Sequence, residues 1–435
     1  MTDHEAAPLR LFIHDFAGHP YAPQLSRTLA ARGHEVLHGY CGGVATGQGD
    51  LEPRPGDPPG LRFVNVSSEP FERYAPIGRL KSEVRYGRRL AAVVRAEGPD
   101  AVVSANCPLV AQAHLWRATT SVGAQRVYWL QDFLGRGTRA VLTARSRLLG
   151  ATFGAAWEAL EARLLQRSDH VIAITDAFVG ELARRRVTTP ITVIQNWTPL
   201  DEVPVRMKQS AWSRAHGLDD RPVALYAGTL GHKHDPEHLV ELARRLEPVG
   251  AAVVVATEGL GRQYLEDRRR ELHLESLVLL DFVPWEIVPD MLGAAEVVLV
   301  LLEPDAGTFS APSKVLTYLA AGRPIVGAMP SENLAAVTID RAGAGLVVAP
   351  GNHQGFASAV VDLLADPARA TSMGRAGLAH AEEFFDVSAI ADRFLEVVDR
   401  RPAVARSASR RSTERAVELA TARLDVSNNS ASAAG

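Results

Sequence analysis

Cysteine is almost absent. The 435 residues hold two, Cys41 and Cys107, with neither metal-ligand spacing nor a framework of paired bridges. That excludes a disulfide scaffold and a cysteine metal knuckle, and it fits a reducing cytoplasm. Cys107 has no histidine at motif spacing, which argues against a thiol nucleophile. Long hydrophobic runs are also lacking. The longest purely aliphatic stretch, Val297 to Leu302, is far short of the ~20 residues that span a bilayer. The polar, acidic start at residues 1–5 is unlike a secretory signal. A net charge of −3 excludes a nucleic-acid-type polycation. The first loop lacks both G-x-G-x-x-G and the Walker lysine, which removes support for dinucleotide and P-loop chemistry.

What is present is ordinary globular material: 46% hydrophobic and 22% charged residues, enough for roughly two or three domains of ~150 residues. Strand-like runs alternate with helical patterns. Leu9 to Phe16 precedes a polar loop, a helical stripe through Leu25 and Leu29 ended by Gly33, and a second strand from His34. Further strands are expected at 61–66, 100–106, 126–133, 170–175 and 191–196, with helices over 78–97 and 157–167. The pattern lapses near 197–215 and resumes with strands at 222–230, 251–258, 277–283, 296–302, 323–329 and 345–349. The fold class is therefore α/β, two doubly wound Rossmann-like domains facing a cleft. The expected division is 1–200, 201–382, a C-terminal helix over 383–400, and a largely disordered tail over 401–435.

Candidate chemistry falls at strand ends, where open parallel sheets bind ligands. Ser313-Lys314-Val315-Leu316-Thr317 reads as a helix start with a cation in its first turn. That cation is electrostatically misplaced unless an anion arrives; otherwise it is a solvated lysine. Gly228-Thr229-Leu230-Gly231-His232-Lys233-His234 brings two glycines and a second lysine to another strand end. Lys233 and Lys314 together suit a diphosphate clamp, which would stabilise a departing nucleoside diphosphate. Asp305, Gly307 and Thr308 offer a carboxylate and flexible backbone for sugar hydroxyls. Gly259 suits either a nucleotide approach or an ordinary β–α turn, and Val283 either a base slot or core packing. Asp132, ending the strand Val127-Tyr128-Trp129-Leu130, is either a cleft carboxylate or a helix N-cap.

One charge asymmetry stands out. Residues 73–147 carry 13 Lys/Arg against four Asp/Glu, a local balance of +9. Lys81, Arg85, Arg88 and Arg89 share a helix with Leu80 and Val84, while Arg136, Arg139, Arg145 and Arg147 interleave with Val141, Leu142, Leu148 and Leu149. Such a face suits an anionic membrane surface or lipid phosphate better than a nucleic acid; a solvated basic face is the alternative.

These residues resemble a known family. Arg32-Gly33-His34-Glu35-Val36, Tyr128-Trp129-Leu130-Gln131-Asp132, Asn196-Trp197-Thr198-Pro199, Tyr226-Ala227-Gly228-Thr229 and Pro312-Ser313-Lys314 with Tyr318 to Pro324 stand in the order seen in retaining glycosyltransferases of family 4, which have the GT-B fold. The similarity covers roughly residues 9–400 and is greatest to the bacterial exopolysaccharide and O-antigen (colanic-acid-type) branch. It implies a nucleotide-sugar donor in the second domain and a lipid-linked or small glycosyl acceptor against the first. It implies Lys233 and Lys314 at the diphosphate, and Gly18 meeting the donor across the cleft. The donor is a co-substrate. No cofactor and no metal is expected, since no D-x-D-type signature stands out, and no nucleic-acid partner. The enzyme would be cytoplasmic, peripheral on the inner membrane face. The chain departs from the family in two places. The paired glutamates fall on Phe309 and Thr317, leaving the ribose contact open, and the acceptor-side histidine falls on Gln131. The rival readings are a nucleotide-sugar epimerase and a non-catalytic glycosyltransferase-like subunit.

Overall fold

The structure, a computed structural model, describes residues 7–44, 48–72, 75–231, 234–304 and 313–399. His232, Lys233, Asp305, Gly307 and Thr308 lie outside the described residues, as does the segment 401–435.

Thirteen parallel strands form two sheets. The first holds β1 (Arg10–Asp15), β2 (Glu35–Tyr40), β3 (Leu61–Asn65), β4 (Ala101–Ala105), β5 (Gln125–Leu130), β6 (His170–Ala173) and β7 (Ile191–Val193), in the order 3-2-1-4-5-6-7. The second holds β8 (Val223–Ala227), β9 (Ala252–Ala256), β10 (Leu277–Leu280), β11 (Val297–Leu301), β12 (Ile325–Ala328) and β13 (Gly345–Val348), in the order 10-9-8-11-12-13. Twelve lie within the expected segments, and β5 begins one residue before its segment, at Gln125. They were legible because a parallel strand covered on both faces reads as a continuous apolar run, and β4, β9 and β11 are buried at every residue.

In each sheet the strand order reverses beside the first strand, between β1 and β4 and between β8 and β11. A crevice opens at such a reversal, because the loops leaving the two strands diverge to opposite faces. The last described helix, Val387–Asp399, returns to the first sheet. Phe394 packs edge-on against Trp129 at 4.9 Å, Gln125 donates to the Val397 carbonyl at 3.0 Å, and Arg32 pairs with Asp392 at 2.6 Å. The segment after β7 also joins the halves. The Trp285 indole donates to Glu202 at 2.7 Å, and Glu202 also accepts from Arg54 at 2.6 Å.

A candidate active site between two strand-order reversals

The first-sheet side begins at the C-terminal end of β1. Asp15 is fully buried, and its carboxylate takes three hydrogen bonds. The His19 backbone N–H (2.6 Å) and His19 Nδ1 (2.9 Å) reach Oδ2, and Asn106, at the end of β4, donates to Oδ1 at 2.7 Å. Asn106 does so from a left-handed backbone, φ 56°, which asparagine tolerates better than most residues. An ionised carboxylate can only accept, so Nδ1 carries the His19 proton and Nε2 is left for a ligand. Burial pushes the Asp15 carboxyl up, but the charge of His19 and the hydrogen bonds from His19 and Asn106 outweigh it and hold it below its usual range. Burial pushes His19 down; Asp15 outweighs that, with Asp132 adding, so His19 sits above its ordinary value. His19 also stacks on Tyr21 at 5.4 Å. Next to this pair, Gln131 and Asn196 exchange amide hydrogen bonds at 3.2 and 2.5 Å.

Asp132 faces the same space. The helix after it begins at Leu134 with Phe133 in the flanking position and no side-chain cap, so the N-cap alternative for Asp132 is set aside. His14, one residue before Asp15, is a core histidine. It contacts Ser104 at 2.9 Å and Tyr86 at 2.8 Å, and burial, only partly offset by Asp15, lowers it to about 4. Burial pushes the Cys107 thiol well up, consistent with the absence of a thiol nucleophile.

The second-sheet side is built around Lys314. Its helix, Lys314–Ala320, is only seven residues long, with Val315, Tyr318 and Leu319 buried and a positive-φ Gly322 just beyond it. Lys314 Nζ is buried, lies 3.8 Å above the Tyr226 ring and has no hydrogen-bond partner among the described residues. A cation–π contact recovers only part of an ammonium's lost hydration, and burial lowers Lys314 to about 7. The solvated-lysine alternative therefore fails; the charge sits where water does not reach.

Gly228 directly follows β8. Its φ of 138° suits glycine, and a Cβ would lie 2.7 Å from Lys314 Nζ. Tyr318 fixes the relative position of helix and strand. Its hydroxyl accepts from the Ala227 N–H at 3.2 Å and donates to the Ala227 carbonyl at 3.3 Å. Thr257 braces the loop carrying Thr229: its hydroxyl donates to the Gly228 carbonyl at 2.7 Å and accepts from the Leu230 N–H at 3.1 Å.

Gly259, with φ 102°, approaches the Leu230 carbonyl, and Gly261 lies where a Cβ would meet the Leu230 side chain at 2.5 Å. That close β–α packing is a sufficient reason for both glycines. Val283 is half-buried against the core. Gly231 leads out of the braced loop, with its N–H donating to His234 at 3.1 Å. Gly18, with φ 72°, packs against Gln48 and Leu51. Thr317, where the family carries a carboxylate, meets the hydroxyl of Thr198 at 3.3 Å, a contact across the two halves.

A cavity of about 120 Å³ lies between the two sheets, and Lys314, Gly228 and Asp15 are not among the residues that line it. His19, Tyr21, Asn106, Gln131 and Asp132 line it from the first sheet, and Ser313, Leu316, Leu334 and Thr338 from the second, with Gln195, Asn196, His380 and Phe385 at its edge. His19, Tyr21 and Asp15 were given no role from sequence. The only signal was an acid and a histidine four apart in the first loop. Asn106 and Asn196 likewise stand at strand ends, and their partners are distant in the chain.

Two doubly wound halves with facing reversals are the architecture of the GT-B class. Comparison with known proteins agrees. Residues 17–197 match the family model described as glycosyl transferase 4-like domain, and residues 208–380 match that of glycosyl transferases group 1. The putative colanic acid biosynthesis glycosyl transferase WcaI of Escherichia coli is 23% identical over 213 residues, 46% of this chain and 50% of that protein. The alpha-D-kanosaminyltransferase of Streptomyces kanamyceticus is 25% identical over 222 residues, 48% of this chain and 54% of that protein. The chain thus spans about half the length of the curated relatives it matches. Anabaena HepE, solved with UDP and glucose, superposes with a TM-score of 0.64 at 17% identity, over 90% of this chain and 100% of its own. The chain belongs to the family 4 glycosyltransferases with the GT-B fold.

Proposed function

We propose that this chain moves a sugar, with retention of configuration, from a nucleoside-diphosphate sugar held by the second sheet to a lipid-linked or small glycosyl acceptor held by the first. The observation carrying the donor half is Lys314, a buried amine with no counter-ion among the described residues, beside a glycine at the β8–β11 reversal. A diphosphate supplies the missing charge, and that charge grows as the sugar departs, so the lysine stabilises the transition state more than the ground state. Lysine, rather than a metal ion, carries this role in our reading, with Lys233 assigned beside it by family resemblance. HepE's complex with UDP supports the same donor class. His19, oriented by Asp15, is assigned to the acceptor or to the phosphate oxygens across the cleft.

The acceptor half rests on the helix Leu134–Arg145 and the turn after it. In that helix only Gly135 is buried. Val141, Leu148 and Phe153 are 62%, 72% and 62% exposed, and neither Arg145 nor Arg147 forms an ion pair among the described residues. An apolar tip flanked by arginines suits an anionic bilayer at the inner face of the cell membrane, and no helix among the described residues is long and apolar enough to cross one. The other basic helix, Pro76–Glu97, contributes less than its sequence suggested, because Arg85 and Arg89 pair with Glu69 and Arg79 pairs with Glu83. A lipid-linked acceptor in polysaccharide assembly, in line with the similarity to WcaI, follows from this face.

Isothermal titration with UDP, GDP and dTDP tests the donor half. One of them binds, and Lys314→Ala weakens it by at least about 100-fold; no binding by any, with Lys314→Ala silent, removes the reading. Sedimentation with phosphatidylglycerol vesicles tests the membrane half. Leu148→Ser with Phe153→Ser should release the protein while leaving nucleotide binding intact.

A further inference from the structure

Asp235, His238 and His353 meet away from Lys314 and play no part in the function proposed above. Asp235 and His238 flank the start of the helix Glu237–Leu246, which follows β8, and His353 opens the helix His353–Ala365, which follows β13. The two helices pack side by side, and each residue offers one donor atom within 4.8 Å of the other two. Asp235 is oriented by its own backbone: Oδ1 accepts the Glu237 N–H at 2.9 Å, and Oδ2 lies 2.6 Å from His353 Nε2. His238 is only 1% exposed, and its Nδ1 has no hydrogen-bond partner among the described residues. Its ring is wedged edge-on between His353 at 4.4 Å and Phe356 at 5.1 Å, which fixes its plane.

Leaving a ring nitrogen buried and unbonded is costly. A core that merely needed filling would be better served there by an apolar ring. The Asp235–His353 pair explains those two residues as a link between helices, but it leaves the His238 nitrogen unexplained. Two imidazoles and one carboxylate form a borderline-soft donor set of three protein ligands. That is the chemistry of a zinc-type divalent ion, not of magnesium or calcium, which prefer oxygen alone.

We propose that Asp235, His238 and His353 form a binding site for a zinc-class divalent transition metal that joins the first turns of these two helices. Bonds of ~2.1 Å in a tetrahedron set ligand atoms ~3.4 Å apart. The Asp235–His353 contact therefore opens slightly and the longer separations close slightly, by side-chain rotation alone. The bound ion replaces one hydrogen bond with three coordinate bonds. It also secures Asp235, the residue at which the Gly228–Gly231 loop passes into its helix, so metal occupancy and the order of the donor side are linked through the chain.

The expectation of no metal rested on the lack of a D-x-D signature, which concerns the diphosphate. The present ligands lie up to 118 residues apart, beyond the reach of any spacing motif.

The test uses the untagged full chain stripped with chelator, titrated with zinc chloride by calorimetry and with cobalt(II) by visible absorption. One equivalent binds, cobalt gives the intense bands of a four-coordinate site, and the melting temperature rises on adding zinc. His353→Gln and Asp235→Asn, at half-exposed positions that tolerate change, each weaken binding by about 100-fold and abolish the melting shift. His238→Ala is read in parallel, with its far-ultraviolet dichroism confirming the fold. Absence of one-equivalent binding by the unaltered chain overturns the proposal, and so does affinity that is unchanged in both His353→Gln and Asp235→Asn.

Discussion

The two walls of the cleft handle polar groups in opposite ways. On the first-sheet wall, Asp15, His19 and Asn106 satisfy one another, and Gln131 and Asn196 form a closed amide pair. On the second, Lys314 holds a buried amine that, among the described residues, meets an aromatic face and no hydrogen-bond partner. A satisfied network is rigid before any ligand arrives, so it orients what it touches. An unsatisfied cation is a standing cost that only a ligand relieves, so it converts binding energy into charge stabilisation. One wall positions, and the other waits.

That contrast is most exposed at Lys314. Replacing it with Met should lower transfer by about 10²–10³-fold while raising the ligand-free protein's stability by roughly 1 kcal/mol or more, because a charge leaves the interior. Turnover and denaturant melts on the same preparation check the opposing signs. Linkage adds a pH signature. The folded Lys314 titrates at about 7 and the unfolded one near its ordinary value, so between those pH values the unfolded chain binds more protons and native stability rises with pH. The Met variant should lose that rise; an unchanged slope would place the titration elsewhere.

Breaking the satisfied wall should cost less. Asp15→Asn removes the charge that keeps His19 protonated, so its titration, followed by NMR of the ring protons, moves down and turnover falls by about 10²-fold. The stability linkage is two-sided. His19 is raised, so its contribution is full below its unfolded pKa and is lost as pH rises through its folded value. Asp15 is lowered, so its contribution is full above its unfolded pKa and is lost as pH falls through its folded value. The unaltered protein should therefore exceed Asp15→Asn in melting temperature most clearly between about pH 4 and 6.5. Gly228→Ala tests how closely the second wall is built. A methyl 2.7 Å from Nζ on a φ of 138° should cost about 1–3 kcal/mol and displace the lysine, seen as weaker nucleotide binding. The smallest effect is expected at the seam, where Thr317→Val gives up one hydroxyl contact with Thr198, about 1 kcal/mol or less by denaturant melt, with donor affinity nearly unchanged.

The sequence made one wall far more legible than the other. Gly228 and Lys314 sit in short local patterns whose oddness is visible in one dimension: a glycine at a strand end, a cation where a helix begins. The strands were legible for the same reason, since each is a self-contained apolar run. The first wall depends on distant pairings. Asn106 reaches Asp15 across 91 positions, Gln131 reaches Asn196 across 65, and the Thr317 contact spans 119. Nothing local distinguishes an asparagine that orients a carboxylate from one that ends a strand. The charge count misled at the helix Pro76–Glu97, because the partner of Arg85 and Arg89, Glu69, lay outside the window that was counted.

The return of the helix Val387–Asp399 to the first sheet has a mechanical corollary. Among the described residues the chain passes between the halves twice, once beyond Asn196 and once beside Phe385, and both passages border the cavity. One tether permits swivelling in every direction; two tethers, like the pins of a door, leave an axis. Movement of one half against the other is then a rotation whose lever arm is shortest beside Asn196 and Phe385 and grows with distance from them. Groups at the pinned edge keep their spacing throughout the swing, and groups farther out travel the most.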